Sequence, residues 1–387
     1  MEFPRQETSY RKRPAVARGG FDMRDWLEPR RLTIVMWDQT FLTRHMPGES
    51  FADYDQVLDE ALERGYNTLR LDPMPQIIDL SKPEIVYKQP DLGIPYLPWS
   101  NPRGFEGPAG AWLIEFMEKV LLRGLNYTLS AWWGGGIHPS RSEPHTIGEG
   151  AQDWIRMLRE WEKRFGFEGC VYVDLANEFP YFMAGLSQHL EEAGPRWSPA
   201  WQEAVAREVN AALAAVRTEF PELLFTISIH GDLRWIDVPL EMDCMDVHFY
   251  ADADPRWSAR TKFGEFMPCF FKEADWHAEF SERCQKANDA AAAMFRARQR
   301  AKVAAFAAWG EERGMPLTTS ESWSSWFYID SPNLDWGWLL DWAEWTVEDA
   351  IEFGMWGWTP HNYCQPQFAN WQDVAWHRRL TDRFLRS

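Results

Sequence analysis

A short apolar run, then a longer amphipathic stretch, then a glycine before the next run: this order recurs along the chain and limits its fold more than any other feature. Eight such runs can be read, LTIVMWD (32–38), YNTLRLD (66–72), LNYTLSAWW (125–133), GCVYVDLANE (169–178), LLFTISIH (223–230), CMDVHFY (244–250), MPLTTSES (315–322) and GMWGWTP (354–360). Between them apolar residues fall at helical spacing, as in Trp154, Ile155, Leu158, Trp161 and Phe165, or Val205, Val209, Leu213 and Val216. In LERGYNTLR, LLRGLNYTL and EERGMPLTT a glycine sits where a helix would end in a left-handed turn before a strand. Alternating strands and helices imply a parallel sheet, and eight of them in 387 residues predict an α/β fold of the (β/α)8 TIM barrel type. No glycine fingerprint for a dinucleotide follows the first run, which argues against an open doubly wound sheet.

On this reading residues 1–30 are an N-terminal extension packing on the barrel, and 31–387 are a single (β/α)8 catalytic domain. The excursions 73–111 and 251–275 become long βα loops over the C-terminal face, where barrels carry their chemistry. Residues 276–313 read as one long or two stacked Ala-rich helices, which could pad the barrel or meet a second copy in a homo-oligomer.

Composition narrows the function. A net charge of −18, from 40 Lys+Arg against 58 Asp+Glu, argues against nucleic acid and anionic membranes as partners. The first twenty residues hold no apolar core of a signal peptide, and no run approaches the roughly 18 apolar residues of a membrane span. Five scattered cysteines without a CxxC pair read as reduced thiols. The expected location is therefore cytoplasmic. The 24 tryptophans, as many as the phenylalanines, exceed what core packing needs.

Polar residues gather where the runs end: Trp37 and Asp38, Arg70 and Asp72, Trp132 and Trp133, Asn177 and Glu178, His230, His248 and Tyr250, Glu321, and Trp358. Glu178 and Glu321 close the fourth and seventh runs, on opposite sides of a barrel mouth. Two carboxyl groups flanking one bond are what hydrolysis of a sugar acetal requires, one to protonate the leaving oxygen and one to attack or to activate water. A separation of about 5–5.5 Å would mean retention of configuration, and about 6.5–9.5 Å inversion. HExxH, paired-Cys, GxSxG and phosphate-loop patterns are missing, so neither metal nor cofactor is expected.

The run Val173-Asp174-Leu175-Ala176-Asn177-Glu178 resembles the Asn-Glu signature closing the fourth strand of clan A glycoside hydrolases, the cellulase-like (β/α)8 group. That resemblance implies Glu178 as general acid/base, Asn177 on the sugar hydroxyl beside the anomeric carbon, and Glu321 of Thr319-Ser320-Glu321-Ser322 as nucleophile. It also implies Tyr250 of His248-Phe249-Tyr250 and Arg70 as supports of the nucleophile, and Trp358 as the platform under the reacting sugar. The chain departs from the pattern at the third strand, where many cellulase-like enzymes carry a His. Here Ser130-Ala131-Trp132-Trp133 leads into three glycines, and His138 comes only later.

The expected substrate is a short soluble oligosaccharide or glycoside cleaved from one end, with Asp38, Trp37, Trp132, Trp133 and His230 as further substrate contacts. Arg70 and the Tyr250 hydroxyl should keep Glu321 ionised, while indole-rich surroundings should raise Glu178. Each assignment has a plainer competitor: Glu178 as a helix-initiating acid, Arg70 as a partner of Asp72 or Asp38, His248 and Tyr250 as a hydrogen-bonded core pair. A carbohydrate-binding protein on the same barrel, or a transglycosylase, would fit the same residues.

Overall fold

The computed structural model describes residues 29–88, 106–133, 146–181, 184–265, 275–323, 325 and 328–387. All eight predicted runs contain strands: β1 (Leu32–Asp38), β2 (Thr68–Leu71), β3 (Asn126–Leu129), β4 (Cys170–Asp174), β5 in two segments (Phe225–Thr226 and Ser228–His230), β6 (Met245–His248), β7 (Leu317–Thr318) and β8 (Gly357–Trp358). Every pairing in this sheet is parallel, and β1 pairs with both β2 and β8. The ring closes through β5, whose first segment bonds to β4 while the second bonds to β6. A break at Ile227 thus lets one strand change neighbours. The fold is a (β/α)8 TIM barrel.

Helices follow the strands as α1 (Tyr54–Glu63), α2 (Ala109–Leu122), α3 (Ile147–Phe165), α4 (Pro199–Glu219), α5 (Asp275–Arg313), α6 (Gly337–Glu352) and α7 (Val374–Leu385). Their sequences state their own ends. Thr146 accepts from the Glu149 amide to open α3, Ser198 with Pro199 behind it opens α4, and Asp373 opens α7. Gly65, Gly124 and Gly314, the three predicted stop signals, all take positive φ. The buried faces of α3 and α4 carry Trp154, Ile155, Leu158 and Trp161, and Val205, Val209, Leu213 and Val216, as the spacing predicts. The long α5 bends at Ala291, where the backbone leaves helical geometry, so the prediction of one long or two stacked helices holds. Only β5 lacks a full helix after it; a 3₁₀ turn over Leu233–Asp237 takes its place.

Strand alternation decides which side chains reach the barrel axis. In β8 a Cβ on Gly357 would lie 2.1 Å from Thr318 Oγ1 and 3.0 Å from Ile34, so Gly357 points inward. Its neighbour Trp358 must then point outward. It packs on Phe384 of α7 and donates to Thr346 Oγ1 of α6. In β2 the same rule sends Arg70 inward, while Leu69 and Leu71 join the helix-facing core.

Most of residues 1–30, and parts of the two predicted loops, lie outside the described residues. No described helix is long and apolar enough to cross a membrane, and the four described cysteines are free thiols. Because the interior at Gly357 is already filled, Gly357→Ala should lower stability by about 1–3 kcal/mol through overpacking. Thermal denaturation against the wild type checks this; an unchanged Tm would mean that position 357 does not face the axis.

Candidate active site

The site rests on Arg70, fully buried at the end of β2. Its Nη1 lies 2.8 Å from Asp38 Oδ1 and 2.9 Å from Glu321 Oε2. Its Nη2 donates to Ser130 Oγ, at 3.2 Å, and to Asn177 Oδ1. Burial opposes this charge, but the Asp38 and Glu321 carboxylates outweigh it and hold the guanidinium protonated. Beneath lies a second polar layer. Asp174 accepts from Ser130 Oγ and the Ser228 amide at 2.8 Å each, and Asp246 accepts from Tyr172 Oη and the Ser320 amide. Residues from the ends of four strands, β1, β3, β4 and β7, are thereby tied to one cation on β2.

The two glutamates stand on this floor. Glu321 accepts from Tyr250 Oη at 2.6 Å and from Asn362 Nδ2 at 3.3 Å, as well as from Arg70. Glu178 has its Oε1 3.0 Å from His248 Nδ1 and its Oε2 3.0 Å from His230 Nε2, and its amide donates to Ser228 Oγ. One donor atom each from Glu178, His248 and Glu321 fall within 4.8 Å of one another. Both carboxylates are at least 96% shielded, Glu178 being 4% exposed and Glu321 1%. Asp38 and Glu178 take φ of 42° and 49°, a left-handed geometry unusual for such residues and common where a site fixes the backbone.

The expected charge assignment is reversed. Glu178 has imidazoles, not indoles, around it. Although burial opposes its ionisation, His230 and then His248 hold its carboxyl well below the usual carboxylate range. Burial, and next the charge of Glu178, push the Glu321 carboxyl up to about 7, against the pull of Arg70 and His248. Burial disfavours charge on His248, but Glu321 and the hydrogen bond to Glu178 outweigh it and raise its pKa. Asp72 is pushed by burial up to about 8 even though the Trp132 and Met74 amides donate to it.

Arg70, Asn177, Glu178, His230, His248, Tyr250, Glu321, Asp38 and Trp132 thus come together, the indole Nε1 of Trp132 lying 3.0 Å from Asp38 Oδ2. Three predicted substrate contacts do not. Trp358 faces the helices, as its alternation with Gly357 requires. Trp37 is fully buried edge-on to Phe51, Phe116 and Trp371, because it sits between the inward Met36 and Asp38 of β1. Trp133 donates to the Leu175 carbonyl and packs over Gly150 of α3. His138 lies outside the described residues. Sequence reasoning missed Asn362, which donates to Tyr250 Oη at 2.8 Å and accepts from the Ser322 amide; it lies in an irregular loop with no pattern to mark it. Sequence reasoning also passed over Asp174 and Asp246, which inward parity with the polar strand ends Glu178 and His248 could have marked.

Two carboxylates and an imidazole form a donor set that suits a metal ion such as zinc. Here each carboxylate already faces donors, Arg70 and Tyr250 on Glu321 and the histidines on Glu178, so a cation would have to displace them.

Because the Glu178 charge helps hold Glu321 up, Glu178→Gln should move the Glu321 titration downward from about 7. Carboxyl ¹³C NMR of Glu-labelled protein reads this directly; an unmoved or rising midpoint would show the two groups to be uncoupled.

A family described as "Sugar-binding cellulase-like" matches residues 34–385. A Parabacteroides distasonis protein assigned as a glycoside hydrolase shares 26% identity with a TM-score of 0.80, over 92% of this chain and 93% of its own. An endocellulase from Pyrococcus horikoshii, solved with cellotetraose, shares 15% identity with a TM-score of 0.50, over 91% and 93%, and is alike in fold. No curated protein matches. With its barrel, its paired glutamates and a family match over nearly its whole length, the chain belongs to the sugar-binding cellulase-like family.

Proposed function

We propose that the protein is a retaining glycoside hydrolase, with Glu321 as nucleophile and Glu178 as general acid/base. The observation that carries this reading is that one carboxylate oxygen of Glu178 and one of Glu321 lie within 4.8 Å of each other. An approach of that kind suits the closer spacing of covalent double displacement better than the wider gap in which inversion seats a water. In the first step Glu321 attacks the anomeric carbon while Glu178 protonates the departing oxygen. In the second, Glu178 takes a proton from water, which attacks the glycosyl ester and frees Glu321.

The proton balance suits this sequence. Glu321, titrating near 7, is partly ionised at neutral pH, and the Tyr250, Asn362 and Arg70 donors stabilise it as a leaving group in the second step. Glu178 touches two imidazole nitrogens at 3.0 Å, so a proton can pass between ring and carboxylate without movement of heavy atoms. A sugar filling the site would expel the remaining water and favour the neutral form of Glu178. The depth of both carboxylates favours a chain end over the middle of a polymer, hence exo action on short soluble oligosaccharides or glycosides.

One observation favours a second reading, a carbohydrate-binding protein without turnover: both oxygens of Glu178 are engaged by histidines that hold it ionised. Kinetics separate the two. Glu321→Ala should cut release from aryl glycosides by roughly 10³-fold or more with the fold intact. Glu178→Ala should slow substrates with poor leaving groups by about 10²–10⁴-fold and activated dinitrophenyl glycosides far less. Sugar-induced tryptophan fluorescence changes without any chromophore release would establish the binding reading instead.

A further inference from the structure

Beyond Glu178 the rim of the site carries a cation, Arg196, that has no hydrogen-bonded carboxylate among the described residues. The Tyr181 amide donates to the Glu178 carbonyl at 2.9 Å, and the half-exposed Tyr181 ring stands edge-on to His230, centroids 4.7 Å apart. Over the Tyr181 ring, at 4.3 Å, lies the guanidinium of Arg196, which also faces Trp197 at 5.3 Å and Trp201 at 5.9 Å. A continuous contact therefore runs from the Glu178 carboxylate through His230 and Tyr181 to Arg196.

Among the described residues the contacts of Arg196 are with rings and, through its charge alone, with Asp232. Its Nε and Nη2 are shut off from water and have no hydrogen-bond partner among the described residues, which leaves Nη1 as the exposed nitrogen of a half-buried group. The nearby carboxylate of Asp232 is engaged elsewhere, its two oxygens 3.0 and 3.2 Å from Arg234 Nε. The guanidinium therefore offers one accessible nitrogen, and no described carboxylate is hydrogen-bonded to it. The local backbone reinforces this. Trp197 takes a φ of 70°, strained for a bulky residue, and its ring is locked by Trp201, Trp235 and Arg234, so the turn is held where it sets Arg196 over Tyr181.

We propose that Tyr181, Arg196 and Trp197 form a leaving-group subsite that selects a carboxylate-bearing unit, such as a uronic acid residue. This rests on the proposed role of Glu178, because whatever lies past the proton donor faces the departing group. A carboxylate reaching the exposed Nη1 would give this guanidinium a charge-assisted hydrogen bond that no described side chain supplies. In a chain of net charge −18 such a local cation is what lets an anion approach.

Two measurements test the subsite. Tryptophan fluorescence should show D-glucuronate binding roughly tenfold or more tighter than D-glucose, with the preference lost in Arg196→Gln and partly kept in Arg196→Lys. Equal binding of the two sugars, or a preference that survives Arg196→Gln in a protein with a native circular dichroism spectrum, would overturn it. For each sugar turned over in an aryl glycoside screen, kcat/KM for the 4-carboxyphenyl glycoside should exceed that for its methyl ester, the ratio falling towards one in Arg196→Gln. Turnover with a ratio of one in the wild type would remove the subsite and leave the hydrolase reading standing. Arg196-dependent glucuronate binding without turnover of any glycoside would do the reverse.

Discussion

The arrangement depends on one buried cation. Arg70 sits inside the barrel with no access to water, and a guanidinium there is tolerated only if anions and acceptors surround it. Asp38, Ser130, Asn177 and Glu321 do so from four different strand ends. The demand for compensation fixes Glu321 where it stands, and Tyr250 and Asn362 then complete its coordination. The placing of Glu321 and structural necessity are here one network: removing the cation would leave two buried carboxylates facing each other, a loss of the order of 3–5 kcal/mol.

Most of that network was legible because barrels place polar strand ends at one mouth. Asp38, Arg70, Asn177, Glu178, His248, Tyr250 and Glu321 each fall at or near the end of a recognisable run, and inward parity links His248, the last residue of β6, to Tyr250 just beyond it. The errors came from ignoring the same parity elsewhere. Trp37 and Trp358 lie one residue away from inward positions, Met36 and Asp38 in one case and Gly357 in the other, so their indoles fall among the helices. Asn362 was not legible, since it reaches Glu321 from a loop whose path no periodicity encodes.

The tryptophans change meaning accordingly. Among the predicted sugar platforms only Trp132 borders the site, and it is tied by its indole nitrogen to Asp38. Most of the other described tryptophans pack in two apolar clusters, the main core between sheet and helices and a second one holding Trp257, Trp336, Trp338 and Trp342, so packing accounts for them without reference to sugar. The charge pattern was misread for a related reason: desolvation by indoles was expected at Glu178, whereas the fold brings β5 and β6 together there and so supplies His230 and His248. What bears on the chemistry is the histidine pair beside one glutamate and the arginine beneath the other.

If that network sets the two carboxylates for double displacement, the stereochemistry of the first-formed product is the most direct test. ¹H NMR of a cleavage reaction, recorded before mutarotation, should show the anomer with the configuration of the substrate. The opposite anomer appearing first would mean single displacement through a held water, and would contradict the placement of Glu321 as nucleophile.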